Sequence, residues 1–556
     1  MRFPREGRRG RWSAAKDPCN WSGVGLAAAV VRSETARRLL LDRLGALSLS
    51  NGQDRRPTVL IAPLNRWLPL ALVVLVACWL RVHDLARRPM HADEANQAVK
   101  VGELLERGHY AFDARDHHGP TLYYAALPIA WLRGQRTLAA LDETTVRLVP
   151  AIAGTIGVLL LGLLVGGALR PGNFASAESG PKAPVAVMRW PAIAAAAFMA
   201  VSPPAVYYSR YFVQETLLVT FLLGALVCGQ RWWRSGHVAW ALGGGACVGL
   251  MLATKENAPL YVIAVAIALL AARAKPPASI GLTRSACLAA LTAIAVAVLF
   301  YSSFGTHVAG LRDVLAALRH GFDRATGDSG HEKPWWYYAR LFAWQRSGGV
   351  VFEQIALSAL ALGGVVVAFV SGQKILRGAA VYLAVIAVVL SLTPYKTPWH
   401  AVQVVPAMAL LAAGALAAVP GNGIAAALGV VALATQCFQT HRVAFVYPAD
   451  ARNPYAYVHS SPDVLKFRAL ADAAVARAPS QPVRVISEEY WPLPWYLRGL
   501  PSVGYWSAPP DDCDGALVIV SASQAGAVRA RLHGDYRESI LGLRPGFICV
   551  VFTPSP

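Results

Sequence analysis

Charged residues are scarce in this chain. Asp, Glu, Lys and Arg make up 15% of its 556 residues, against roughly 25% in a soluble domain, which excludes an ordinary soluble globular protein. The shortage falls on the acids: 32 Asp and Glu stand against 52 Lys and Arg, a net charge of +20. That balance matches the footprint of a nucleic-acid binder. Here, however, the basic residues sit in short loops between apolar runs, as they do where they orient membrane spans, so no nucleic-acid partner is expected. Cysteine is also sparse. Of eight, five lie inside apolar runs, and only Cys513 and Cys549, in the polar tail, are placed to pair in an oxidising compartment. No Cys or His spacing is that of a metal site, so a divalent metal is unsupported and no cofactor is implied. Internal repeats, heptads and a clean signal peptide are missing as well; the apolar patch 24–31 is too short to span and runs straight into Arg32.

What is abundant is apolar length. Hydrophobic residues make up 55% of the chain, and the mean hydropathy is +0.41. The fold class expected is an all-α polytopic membrane protein with about eleven transmembrane helices between residues 67 and 440. A basic cytoplasmic arm, 1–66, precedes them, partly disordered, with an amphipathic helix over 33–47 on the membrane surface. A small extracytoplasmic α/β domain, 441–556, follows: a capped helix over 464–477 and buried strands over 483–487, 516–521 and 548–552. The first outer loop is 84–146 and another is 303–349. The stretch 121–132 is read as lying along or dipping into the outer leaflet. Counting it as a span would invert every later loop and put the basic segments 231–234 and 374–377 outside.

Under this topology every polar and aromatic cluster falls on the outer face, at 91–94, 116–118, 208–215, 254–257, 331–338, 395–400 and 488–498. A carboxylate such as Asp93, with Glu94 or Glu215 to position the acceptor, can take a proton from a hydroxyl. Arg210, Lys255, Lys333 and Lys396, all at span ends, can neutralise a phosphate at the depth of a lipid headgroup. His117, His118, Glu256, His331, Tyr337, Tyr338 and His400 complete the candidate substrate-binding set, with aromatic faces suited to sugars.

The motifs HADEA at 91–95, DHHGPTLYY at 116–124, YYSRYFVQE at 207–215, ATKENAPL at 253–260, HEKPWWYY at 331–338, YKTPWH at 395–400, NPYAYVHSSPDV at 453–464 and WPLPWYLRG at 491–499 together resemble the GT-C superfamily. These are polyprenyl-phosphate-sugar-dependent glycosyltransferases, among them the protein O-mannosyltransferases and the aminoarabinose transferase that modifies lipid A. The resemblance is greatest to the flippase-activity-associated, glycosyltransferase-like proteins. It implies a multi-pass protein of the cell (inner) membrane with an outward-facing site. The implied reaction is inverting transfer from a polyprenyl-phosphate sugar to a lipid, glycan or protein acceptor. Asp93 matches the base, Arg210 matches the arginine at the donor phosphate, and Lys255 and Lys396 look like further phosphate contacts. Relatives carry an aspartate near the position of Glu215. The alternatives are a non-catalytic component of lipid-linked saccharide flipping, and a glycan-binding scaffold.

Overall fold

The computed structural model describes residues 67–113, 118–168, 190–274, 281–326 and 330–555. The basic arm with its expected amphipathic helix, and His117, lie outside the described residues. Helix α1, Leu68–Val82, opens with Pro69 in its first turn, where a missing N–H costs nothing. Next come α2, Ala92–Arg107, α3, Thr121–Leu132, and α4, Glu143–Ala168. Helices α5, Trp190–Ala200, and α6, Pro203–Ser209, form one apolar run bent by 58°. Pro203 and Pro204 donate no N–H, and Ser202 before them is held extended, so the helical ladder cannot cross the junction. Helices α7, Glu215–Ser235, α8, Val238–Leu252, α9, Ala258–Ala271, and α10, Leu282–Tyr301, follow.

The segment expected as the outer loop 303–349 carries regular elements among its described residues. It holds α11, Gly310–Thr326, α12, Tyr337–Phe342, and strand β1, Trp344–Ser347. Strand β2, Val350–Glu353, pairs antiparallel with β1 around Gly348 and Gly349, both at positive φ (50° and 79°) as a tight hairpin turn requires. The apolar run expected to be helical from residue 350 therefore starts as a strand, and its helix, α13, is Ile355–Val370. After α14, Lys374–Leu392, a 3₁₀ turn, Pro398–Val404, leads into α15, Val405–Ala418, and α16, Asn422–His441, follows.

Among the described residues six helices are long and apolar enough to cross a membrane, the α5–α6 pair makes a seventh, and five apolar helices are shorter. Helix α3 is one of the short ones; its 12 residues reach about 18 Å, less than the ~30 Å of hydrocarbon. Helix α15 is buried along nearly its whole length, between α13, α5 and α14. Helix α10 instead turns Leu291 and Ile294 outward, 63% and 58% exposed, as a helix facing lipid does.

The tail contains α17, Val464–Arg477, then β3, Val483–Ile486, α18, Leu493–Tyr496, β4, Val503–Trp506, β5, Leu517–Ser521, α19, Ala525–Arg529, β6, Tyr536–Arg544, and β7, Phe547–Pro554. The sheet order is β4-β3-β5-β7-β6. Val483 of β3 lies opposite Val503 and Leu517 in parallel pairings, and β7 runs antiparallel to both β5 and β6. One face of this unit is not its own: Phe467, Val485 and Trp495 share a core with Ala98, Val101 and Tyr123 of α2 and α3. Cys549 lies in that core and Cys513 in a smaller one; both are free thiols, so the pairing open to them is not made.

Candidate active site

The HADEA stretch is organised by its own helix start. His91 is the N-cap of α2 and Glu94 sits at the third helical position, forming a reciprocal capping box. The His91 Nδ1 accepts the Asp93 N–H at 3.0 Å, so the ring proton resides on Nε2, which donates to the Tyr457 carbonyl at 3.1 Å. Burial pushes the His91 pKa down, and the ring is neutral at pH 7.

Glu94 is fully buried. Its carboxylate accepts from Arg88 at 3.1 Å, from Arg147 Nε and Nη2 at 2.9 Å each, and from the Phe212 N–H at 2.9 Å and the His91 N–H at 3.2 Å. Burial alone would raise its pKa; Arg147 and Arg88 outweigh that and hold it well below the usual carboxylate range. Arg147 spends its remaining donors on the carbonyls of Leu85, Arg88 and Pro89 at 2.7, 2.8 and 3.0 Å. Glu94 thus ties the connector after α1 to α2, α4 and the segment after α6, with no lone pair left for chemistry. Asp93, one residue earlier, points away from this knot. Its side chain is 50% exposed, and one oxygen lies 3.8 Å from His91 Nδ1.

The expected cations are differently placed. Arg210 is buried and donates to the carbonyls of Leu80, Arg81, His83 and Asp84 at 3.1, 3.4, 2.5 and 3.0 Å, with its guanidinium over the Phe445 ring. Through Nη1 and Nη2 it satisfies carbonyls that the end of α1 leaves orphaned. Lys255 is buried in an ion pair with Glu215, and His400 Nε2 lies 4.0 Å from the same carboxylate. Glu256 pairs with His118 at 2.9 Å, and α11 lies over it so closely that a Cβ at Gly321 would come within 2.9 Å of Glu256 Cγ. Lys396 is buried and donates to the Thr393 carbonyl. Tyr338 donates to the Thr397 carbonyl at 2.9 Å and lies 3.4 Å from His400 Nδ1.

The loop carrying HEKPWWYY docks edge-on against 394–396. The Lys333 N–H donates to the Pro394 carbonyl at 3.2 Å, the Lys396 N–H to the His331 carbonyl at 3.1 Å, and Glu332 bridges to Tyr395. His331 Nδ1 lies 2.7 Å from the Tyr457 hydroxyl, and Lys333 Nζ stands 5.5 Å from the Tyr457 ring. Tyr337 packs edge-on against Tyr338.

Tyr457 is therefore the meeting point. Its carbonyl holds His91, its hydroxyl meets His331, and its ring carries Lys333. His459 stacks edge-on against His91 and Tyr211, and Trp399 closes on both His91 and Tyr457. Sequence reasoning gave no role to Tyr457, His459, Arg88 or Arg147. The one usable signal was the Tyr- and His-bearing motif at 453–464, a polar-aromatic run like those expected on the outer face. The WPLPWYLRG motif is a clamp: the Met90 N–H donates to the Tyr496 hydroxyl at 2.8 Å, Trp495 Nε1 to Glu143 at 2.8 Å, and Arg498 to the Leu141 carbonyl at 2.7 Å. Among the described residues no group of three or more His, Cys, Asp or Glu side chains is placed to hold a metal ion.

Residues 185–318 match the family described as dolichyl-phosphate-mannose-protein mannosyltransferase. The chain is similar in structure to ArnT from Cupriavidus metallidurans bound to undecaprenyl phosphate, with 16% identity, a TM-score of 0.58, and coverage of 87% of this chain and 98% of that one. The apo state of ArnT gives 16% identity, a TM-score of 0.56, and coverage of 88% and 98%. The oligosaccharyltransferase AglB from Archaeoglobus fulgidus, in complex with an inhibitory peptide and a dolichol-phosphate, gives 13% identity, a TM-score of 0.51, and coverage of 86% and 73%. No curated protein sequence matches the chain.

Proposed function

For a chain with the GT-C fold, we propose the activity of an integral-membrane glycosyltransferase that uses a polyprenyl-phosphate sugar, with Asp93 as general base on the extracytoplasmic side. The observation that carries this reading is the contrast between two adjacent carboxylates. Glu94 is consumed by the scaffold, while Asp93 is left half-exposed beside a wall of aromatic and histidine side chains.

In this reaction Asp93 takes the proton of the acceptor hydroxyl as its oxygen attacks the anomeric carbon from the face opposite the phosphate. The bond from that carbon to the phosphate oxygen breaks, and the electron pair leaves on polyprenyl phosphate, which gains one negative charge. Configuration inverts in the single displacement. Holding Asp93 by its own amide and by the neighbouring Glu94 knot supplies orientation, and the lone carboxylate supplies base catalysis.

Transport without chemistry calls for ionisable side chains midway along the spans. Here Glu215 opens α7, Lys255 lies between α8 and α9, and Arg81 is next to last in α1, so these buried charges sit at helix ends and favour the transferase reading. The test is incubation of purified protein with a panel of labelled polyprenyl-phosphate sugars and a membrane extract as the acceptor source. Asp93→Asn is expected to cut transfer by about 10²–10⁴-fold while donor binding persists. Wild-type turnover by that variant would remove Asp93 from the mechanism.

A further inference from the structure

A lipid-phosphate donor brings negative charge to headgroup depth and leaves with more, so its seat is best served by a cation whose hydrogen-bond donors the fold has not already engaged. Most basic side chains near this site already have donors engaged by the fold. Arg88 and Arg147 are paired with Glu94 and Lys255 with Glu215, while buried Arg210 gives Nη1 and Nη2 to four carbonyls and buried Lys396 donates to the Thr393 carbonyl. Arg81 is buried on Ser209 and the carbonyls of Ala77, Met199 and Ala200. Lys333 differs from all of these. Among the described residues its ammonium has no carboxylate or carbonyl partner; it rests part-exposed against the Tyr457 ring at 5.5 Å.

Two further observations place Lys333 where a donor phosphate would lie. First, Trp335 and Trp336, two and three residues on, are 69% and 42% exposed, as side chains are that settle at the headgroup level of a bilayer. Second, the residue Lys333 rests on is the one whose carbonyl holds His91, the ring that in turn holds the Asp93 amide. Tyr457 and His91 thus link the ammonium to the proposed base, and their aromatic faces suit the apolar face of a sugar.

We infer that Lys333 is the residue that receives the phosphate of the lipid-linked donor, an assignment that rests on the transferase reading above. Its ammonium would contact a non-bridging phosphate oxygen and interact more strongly as that phosphate gains charge, so it favours the transition state over the bound donor. Its backbone is fixed by the bonds to Pro394 and, through His331, to Lys396, so the side chain is presented from a fixed edge.

The experiment uses the full chain in phosphatidylcholine nanodiscs and measures binding of a labelled polyprenyl phosphate against the matching uncharged polyprenol, with no sugar or acceptor present. Wild type is expected to prefer the phosphate. Lys333→Ala should lose about tenfold or more of that preference, the value of a hydrogen bond to a charged group, while Lys333→Arg keeps it and polyprenol binding is unchanged in both. If wild type prefers the phosphate and Lys333→Ala does so equally, the assignment is overturned and the donor class stands. If wild type itself does not distinguish phosphate from alcohol, the donor class fails and the assignment goes with it.

Discussion

Replacing Glu94 by Gln would leave the guanidiniums of Arg88 and Arg147 buried against a neutral amide. Breaking a buried ion pair from one side costs about 3–5 kcal/mol, so the Glu94→Gln protein is expected to melt well below wild type in detergent; an unchanged melting temperature would contradict the structural role. At this scale the sequence was half legible. Two adjacent acids near a span end were visible as candidates, but nothing in their order said which one the fold would consume. The capping box that decides it is usually recognised by Ser or Thr at its start, and here His91 takes that place. The backbone role of Arg210 was hidden for a related reason. An arginine after an apolar run reads as a phosphate ligand, and only the chain path shows α1 ending beneath it. The ion pair between Lys255 and Glu215, 40 residues apart, likewise depends on a helix packing no local pattern encodes.

Among the elements, the start of α2 sets a pH dependence. The His91 pKa is lowered in the folded protein by burial, so the unfolded chain binds a proton first, near the ordinary value of about 6.5. Its contribution to stability is full above that value and is lost as pH falls through the folded pKa. Glu94 acts in the same sense at lower pH: its carboxyl is held down in the fold, so its contribution is present above the ordinary carboxylate range and fades on acidification below it. Thermal unfolding should therefore shift downward between pH 7 and pH 5, and His91→Asn, which retains a capping side chain, should flatten that step. Helical runs were the most legible elements, since length and apolarity suffice to find them. The hairpin at 344–353 was not, because β2 is continuous in sequence with the apolar run of α13. β4 and β6 were also missed. The first is short and interrupted by Gly504, and the second is polar and largely exposed along its first half.

For the whole molecule, the composition pointed to a membrane bundle, and the tail's capped helix and three of its strands were readable from pattern alone. The boundary near residue 441 marked a change of composition but not of packing. Met90 meets Tyr496 across 406 residues of chain, a contact that no window of sequence contains. It makes the tail part of the site: Tyr457, His459 and Tyr496 all lie beyond the last span. Cutting the chain before Val443 should thus abolish transfer and expose the shared core, seen as lost hydrogen-exchange protection in α2. A truncated protein with full activity would make the tail an independent module instead.

The knot around Glu94 admits no water, with both Glu94 and Arg147 at zero exposure, and dissolved ions screen only what they can approach. The frame that aims Asp93 is therefore insulated from the ionic strength of the medium. Lys333, partly exposed, is not, so the grip proposed for it on an anionic headgroup should weaken in brine long before the frame that holds Asp93 loosens.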